Sequence, residues 1–140
     1  MRRTGRLPAD VGDRLATLGA VLDGRPAVRF AYVFGGAGRG DLRPLSDIDV
    51  AVYLDEAVDP MHARLDLMGV VTNHLGTDAV DLVVLNGAPT ALLGRIVESR
   101  RVIAEKDPFL RHRFESQVLR QFLDFRIFEQ RFLDTRFARG

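Results

Sequence analysis

The sequence predicts an α/β (α+β) fold: a small mixed sheet with flanking helices and a long C-terminal helix. Three observations carry that expectation. Short β-rich runs alternate with segments whose apolar residues recur every three or four positions, the order of a layered helix-and-sheet domain. Gly, Pro and Asp clusters bound these runs, as they do where elements end. No internal repeat or linker-like stretch divides the 140 residues, a length that suits one core.

The elements follow in order. Val11, Leu15, Leu18 and Leu22 give a helical stripe from Pro8 to Leu22, ended by Asp23-Gly24. Val28 to Phe34 reads as a first strand, halted by Gly35-Gly36. Gly35 to Ser46 is glycine-rich and turn-prone, with room for a short helix near Ala37. Ile48 to Leu54 is a second strand. Its alternation puts Ile48, Val50, Val52 and Leu54 on one face, and Asp47, Asp49, Ala51 and Tyr53 on the other. Asp59-Pro60 opens a helix to about Leu75. Val80 to Leu85 is a third strand, Pro89 to Ser99 a helix, and Arg101 to Ala104 a short edge strand. From Pro108 onward the chain is one long helical stretch. Residues 1–107 thus form the core, and 108–140 a helical tail of the same domain. This order implies helices on one side of the sheet, with the two Asp-bearing strands as neighbours.

Composition narrows the function. A formal net charge of +1 provides no field for gripping a nucleic-acid backbone, so no direct nucleic-acid partner is expected. The absence of cysteine excludes disulfides, thiol catalysis and Cys-based zinc sites. The basic start, Met1 to Arg6, is not followed by an apolar signal core. No segment approaches the ~20 apolar residues that span a bilayer. A cytoplasmic protein with no membrane association is the expectation.

The chemistry concentrates in Phe34-Gly35-Gly36-Ala37-Gly38-Arg39-Gly40 and Ser46-Asp47-Ile48-Asp49-Val50. Aspartates at i and i+2 of a strand share a face, and two such charges repel unless a cation lies between them. Mg²⁺ takes one or two carboxylates plus substrate phosphates. Asp81, opening the third strand, can add a carboxylate to the same face. Three carboxylates can seat two ions about 3.5–4 Å apart, the arrangement that serves phosphoryl-type displacement. Glycines after a strand let backbone N–H groups approach phosphates, and a helix starting there adds its positive end. Arg39 can neutralise phosphate oxygens, and Ser46 can fix the turn before Asp47. A lone Asp-x-Asp is ordinarily solvated surface. Its conjunction with the glycine loop and a downstream strand-borne Asp favours metal and nucleotide binding.

Gly35-Gly36, ten residues, then Asp47-Ile48-Asp49 resembles the Gly-Ser-x10-Asp-x-Asp signature of the polymerase-β-like nucleotidyltransferase superfamily. Tyr32 to Leu54 (YVFGGAGRGDLRPLSDIDVAVYL) is similar to its small MNT-type members, in particular the MntA-family antitoxins encoded beside HEPN-domain toxins. The resemblance implies binding of ATP with Mg²⁺ and transfer of AMP to a tyrosine of the HEPN ribonuclease. It implies Asp47, Asp49 and Asp81 as metal ligands, with Asp81 favouring deprotonation of the attacking hydroxyl. Gly35 and Gly36 would cradle the triphosphate. Gly36 departs from the signature serine, and that lost hydrogen bond corresponds to about 1.5–3 kcal/mol and roughly 10- to 100-fold in rate.

Seven of the nine phenylalanines lie between Phe109 and Phe137. The apolar surface of the tail is wider than a helix needs to dock on one sheet. One part packs on the domain, and the rest is a surface for the HEPN partner or for a homo-oligomer. The interleaved arginines, Arg111 to Arg136, read as a solvated or rim face. His62, His74 and His112 lack ligand spacing and read as structural or surface residues. Tyr53 either lines the nucleotide pocket or packs in the core. Two alternatives stand beside AMP transfer to a protein: an antitoxin that neutralises by binding alone, and a small-molecule nucleotidyltransferase of the antibiotic-modifying kind. A 140-residue chain leaves the last little room for an acceptor domain.

Overall fold

The computed structural model describes residues 7–43 and 46–138, with the side chains of 136–138 excepted. The basic segment Met1–Arg6, the pair Pro44 and Leu45, the side chains of Arg136 and Phe137, and the last two residues lie outside the described part. Helix α1 spans Val11–Asp23, strand β1 Val28–Phe34, and a single-turn helix α2 Gly35–Gly38. Then come β2 (Ile48–Leu54), α3 (Pro60–Leu75), β3 (Val80–Val84), α4 (Thr90–Ser99), β4 (Arg101–Glu105) and α5 (Pro108–Ala138). Each predicted element is present. Helix α1 begins three residues later than the expected Pro8, and α2 begins at Gly35 rather than near Ala37.

The four strands lie in the order β3-β2-β1-β4. Strand β1 is antiparallel to both β2 and β4, whereas β2 and β3 are parallel. The sheet is therefore mixed, and the two Asp-bearing strands are neighbours. Strand β4 occupies an edge, as expected.

Helices cover both faces of the sheet, which corrects the one-sided expectation. On one face Ile48, Val50, Val52 and Leu54 of β2 pack with Leu15, Leu18 and Leu22 of α1 and Leu67, Val71 and Leu75 of α3. On the other, Phe30, Tyr32 and Ala51 pack with Leu93, Ile96 and Val97 of α4 and Val118 of α5. The physical reason is that the two central strands are apolar on both faces. Phe30 and Tyr32 are fully buried opposite Ala31 and Val33, and each face needs its own cover. Gly94 lets the Phe122 ring lie directly on α4, because a Cβ there would overlap the ring.

A polar cluster roots α5 in this second layer. The Tyr32 hydroxyl donates to Glu115 Oε2 at 2.6 Å. Arg100 donates through Nε and Nη2 to the same carboxylate, and Arg111 Nη1 reaches Oε1 at 2.9 Å. Glu105 lies 3.2 Å from Arg111 Nε, so Arg111 is an ion-paired, largely buried residue rather than part of a solvated face. Burial works to raise the Glu115 carboxyl, but hydrogen bonds from Arg100 and Tyr32 outweigh it and hold the group below its ordinary range. Burial and the Glu115 carboxylate push the Tyr32 hydroxyl well above its own range. No described helix is long and apolar enough to cross a membrane.

Candidate active site

The C-terminal end of β1, the loop after it and the start of β2 meet at one end of the sheet. Gly35 takes a left-handed conformation (φ 60°), where a side chain would be strained. A Cβ there would also lie 2.6 Å from Asp49 Oδ2, so the missing side chain is what lets the carboxylate sit against the loop backbone. The Gly35 N–H donates to Ser99 Oγ at 2.9 Å, tying the loop to the end of α4. A Cβ on Gly38 would overlap the Ser99 carbonyl, so α2 lies against α4 through backbone alone.

Gly36 is closed as well. The Asp41 N–H donates to the Gly36 carbonyl at 2.7 Å, and the Asp41 carbonyl stands 2.9 Å from where a Cβ on Gly36 would be. A side chain at this position would therefore crowd the Asp41 carbonyl, where the loop folds back onto it. Helix α2 is only four residues long, so its dipole contributes far less than a full helix would.

Gly36, Arg39, Ser46, Asp47 and Asp49 line one cavity of about 770 Å³, together with Asp41 and Arg43. Asp81 lies outside that lining. It stands directly beside Asp49, in parallel register on the neighbouring strand, and is exposed at the sheet edge. Burial pushes the Asp49 carboxyl above its usual range, the Asp81 charge pushes the same way, and Arg39 partly offsets them. Such a like-charged pair is stabilised by a cation placed against it.

Among the described residues, no three His, Asp or Glu side chains converge as a ready-made ion cage. The three-carboxylate cluster expected from sequence is thus not preformed: Asp49 and Asp81 stand side by side, and Asp47 lines the cavity with Asp49. The paired Asp49 and Asp81, with Asp47 on the shared cavity, fit an ion site that substrate phosphates would complete.

Tyr53 is not part of it. It lies four residues along β2, roughly 13 Å from Asp49. There it stacks on Phe30 at 4.8 Å and meets Phe114 edge-on at 5.3 Å, as a core residue. His74 contacts Thr17 Oγ1 at 2.8 Å, His112 contacts Arg111, and His62 is exposed, so none approaches the carboxylates. Sequence reasoning missed Arg43 and Asp41, though both sit in the same polar loop. It also missed Ser99 and Arg95, which carry no local signal because α4 brings them in from sixty residues away.

The model of the family described as polymerase beta, nucleotidyltransferase, matches residues 17–109. No curated protein matches the chain. Several solved structures share its fold. A toxin–antitoxin complex with AMP-PNP is 24% identical, with TM-score 0.68, covering 88% of this chain and 97% of that one. The MNT antitoxin complex of a tri-AMPylated Shewanella oneidensis HEPN toxin is 23% identical, with TM-score 0.65, covering 89% and 97%. A mutant of the toxin–antitoxin pair MntA–HpeT is 25% identical, with TM-score 0.67, covering 85% and 94%.

Proposed function

Because this chain belongs to the polymerase beta nucleotidyltransferase family, we propose that it transfers AMP from ATP to a tyrosine of a HEPN-domain ribonuclease toxin and thereby acts as its antitoxin. The observation that carries the reading is the side-by-side pair Asp49 and Asp81, at the edge of a cavity walled by the glycine loop. Solved complexes of the same fold support it, one with AMP-PNP and one with a tri-AMPylated HEPN toxin.

Each residue then has a task. Asp47, Asp49 and Asp81 would hold Mg²⁺ jointly with the triphosphate oxygens, and the ion would offset phosphate charge and favour deprotonation of the acceptor hydroxyl. Gly35 and Gly36 bring the backbone close to the triphosphate, and Ser46 orders the turn that presents Asp47. Arg39 and Arg43, on the same cavity, neutralise the phosphate oxygens. The acceptor oxygen bonds to the α-phosphorus, the bond to the bridging oxygen of pyrophosphate breaks, and Asp81 receives the hydroxyl proton.

The acceptor comes on another molecule, and α5 offers the surface. Past Phe122 every residue to Thr135 is exposed. Phe125, Phe128 and Phe132, at i, i+3 and i+7, share one face and are 45%, 70% and 56% exposed. The toxin docks there, in preference to a second copy of this chain.

Incubation with labelled ATP, Mg²⁺ and the HEPN partner tests the reading. Label on the partner should fall by at least about 10²-fold in Asp49→Asn, the scale of losing one transition-state electrostatic group, and similarly in Asp47→Asn. The closed position Gly36 favours one alternative, an antitoxin that acts by contact alone. Neutralisation that persists in both variants, with no label transferred by the native protein, would select that alternative.

A further inference from the structure

The glycine loop carries no hydroxyl where the family signature has one, and Gly36 is closed in by Asp41. Between Gly35 and Asp47 the sequence offers only Ser46, which belongs to the turn before β2. A hydroxyl nevertheless reaches the loop from another element. Ser99, the last residue of α4, accepts a hydrogen bond from the Gly35 N–H at 2.9 Å. Its own proton goes to the Arg95 carbonyl, four residues back in the same helix, at 3.3 Å. That is long for an O–H···O bond, whose usual length is about 2.7–2.8 Å. The acceptor side of this hydroxyl is well used, and the donor side is not.

Building on the nucleotidyl-transfer reading above, we propose that Ser99 is a substrate-binding residue that makes good the missing signature serine. Its Oγ donates to a triphosphate oxygen while still accepting from the Gly35 N–H. Ser99 lines a cavity together with Gly35, Arg39 and Asp49, so the hydroxyl stands on the side from which a polyanion meets the loop. Its backbone is held on both sides. Gly38, lacking a side chain, lies on the Ser99 carbonyl, and the next residue, Arg100, is bound through Nε and Nη2 to Glu115. A donor fixed in this way needs no reordering when phosphate arrives. The proton would leave a long bond to a neutral carbonyl for one to an anion, and such charge-assisted bonds are roughly twice as strong. A strut that merely holds the loop would act on every ligand alike, whereas a donor acts only through the oxygen it touches.

Calorimetric titration with Mg-ATP and with its phosphorothioates, in which sulfur replaces one non-bridging oxygen at a time, separates these roles, because sulfur is a weak acceptor. Ser99→Ala should weaken Mg-ATP binding roughly tenfold or more, the scale of a hydrogen bond to a charged group. Ser99→Cys, which keeps the side chain's shape but is a weak donor, should do the same. Ser99→Thr keeps the hydroxyl and should bind as the native protein does. For the one analogue with sulfur at the contacted position, the native protein and Ser99→Ala should bind equally. Any preference of Mg²⁺ for oxygen cancels in that comparison, since both proteins share it. Equal weakening of Mg-ATP and every analogue in Ser99→Ala, or native-like Mg-ATP affinity in Ser99→Ala and Ser99→Cys, would overturn the donor and leave the transfer reading standing. Failure of the native protein to bind Mg-ATP would overturn both.

Discussion

The glycine loop and the outer half of α5 are built on opposite principles. In the loop three glycines are each closed in by a neighbour: Gly35 by Ser99 and Asp49, Gly36 by Asp41, Gly38 by the Ser99 carbonyl. In α5 beyond Phe122, large apolar side chains such as Phe128 and Phe132 are more than half exposed. A site that handles phosphates gains from being fixed in advance, since no ordering is left to the moment of reaction. A surface waiting for a macromolecule has no such need, and its energy is realised only on docking. The two regions should therefore fail separately, unless the element joining them is broken.

Glu115 is that joint, and breaking it should have the largest effect. It lies in the first turns of α5, holding Tyr32 of β1 and Arg100, the residue between α4 and β4, and Arg100 follows Ser99, which clasps the glycine loop. Glu115→Leu would leave two arginines without their shared anion and should lower unfolding stability by about 3 kcal/mol, read by urea denaturation. Loss of both ATP binding and partner binding should accompany it. The Glu115 carboxyl sits below its ordinary value in the folded protein. Its contribution is therefore complete above that ordinary value, about pH 4.5, and disappears as pH falls through the lower folded value. Glu115→Gln should flatten this acid limb of the stability curve; an unchanged limb would remove Glu115 from the account.

Phe125→Ala combined with Phe132→Ala addresses the other side of the contrast. Both rings are exposed, so the chain's own stability should stay within about 0.5 kcal/mol of the native value. Association with the HEPN partner should weaken by about 30-fold or more, as for truncated aromatic anchors at an interface. ATP affinity should not move. A complex that elutes unchanged on size exclusion would locate the partner surface elsewhere.

These contrasts explain what was legible in the sequence. The two-residue period of β2 was enough to put Asp49 opposite the Ile48 and Val50 face, and the order of short elements gave a layered helix-and-sheet domain, whose mixed sheet followed from the family resemblance. Adjacency of β2 and β3 was an inference from chemistry, and the structure supplies it as the pair Asp49 and Asp81. Helices on the second face were not legible, because Phe30 and Tyr32 read as strand formers whichever side is covered. Glu115 was invisible for a related reason: an acid among arginines on a helix looks like a solvated pair until Tyr32 and Arg100 arrive from elsewhere in the chain. Arg95 and Ser99 belong to a helix whose docking no local pattern records.

Gly36 carries the smallest effect and the sharpest distinction. From sequence it is a signature serine lost, so Gly36→Ser would restore a hydroxyl and raise the transfer rate. The structure predicts otherwise. The new Cβ would meet the Asp41 carbonyl at 2.9 Å, and relief requires opening the 2.7 Å hydrogen bond from the Asp41 N–H to the Gly36 carbonyl. A cost of about 1 kcal/mol, the low end for an overpacked site, is expected in thermal or urea unfolding. Transfer of labelled AMP should stay level or fall, because Arg39, Asp41 and Arg43 share the cavity that the displaced loop would reshape. A rate increase of tenfold or more, with stability unchanged, would mean that the loop tolerates the serine and that the fold-back at Asp41 does not govern the site.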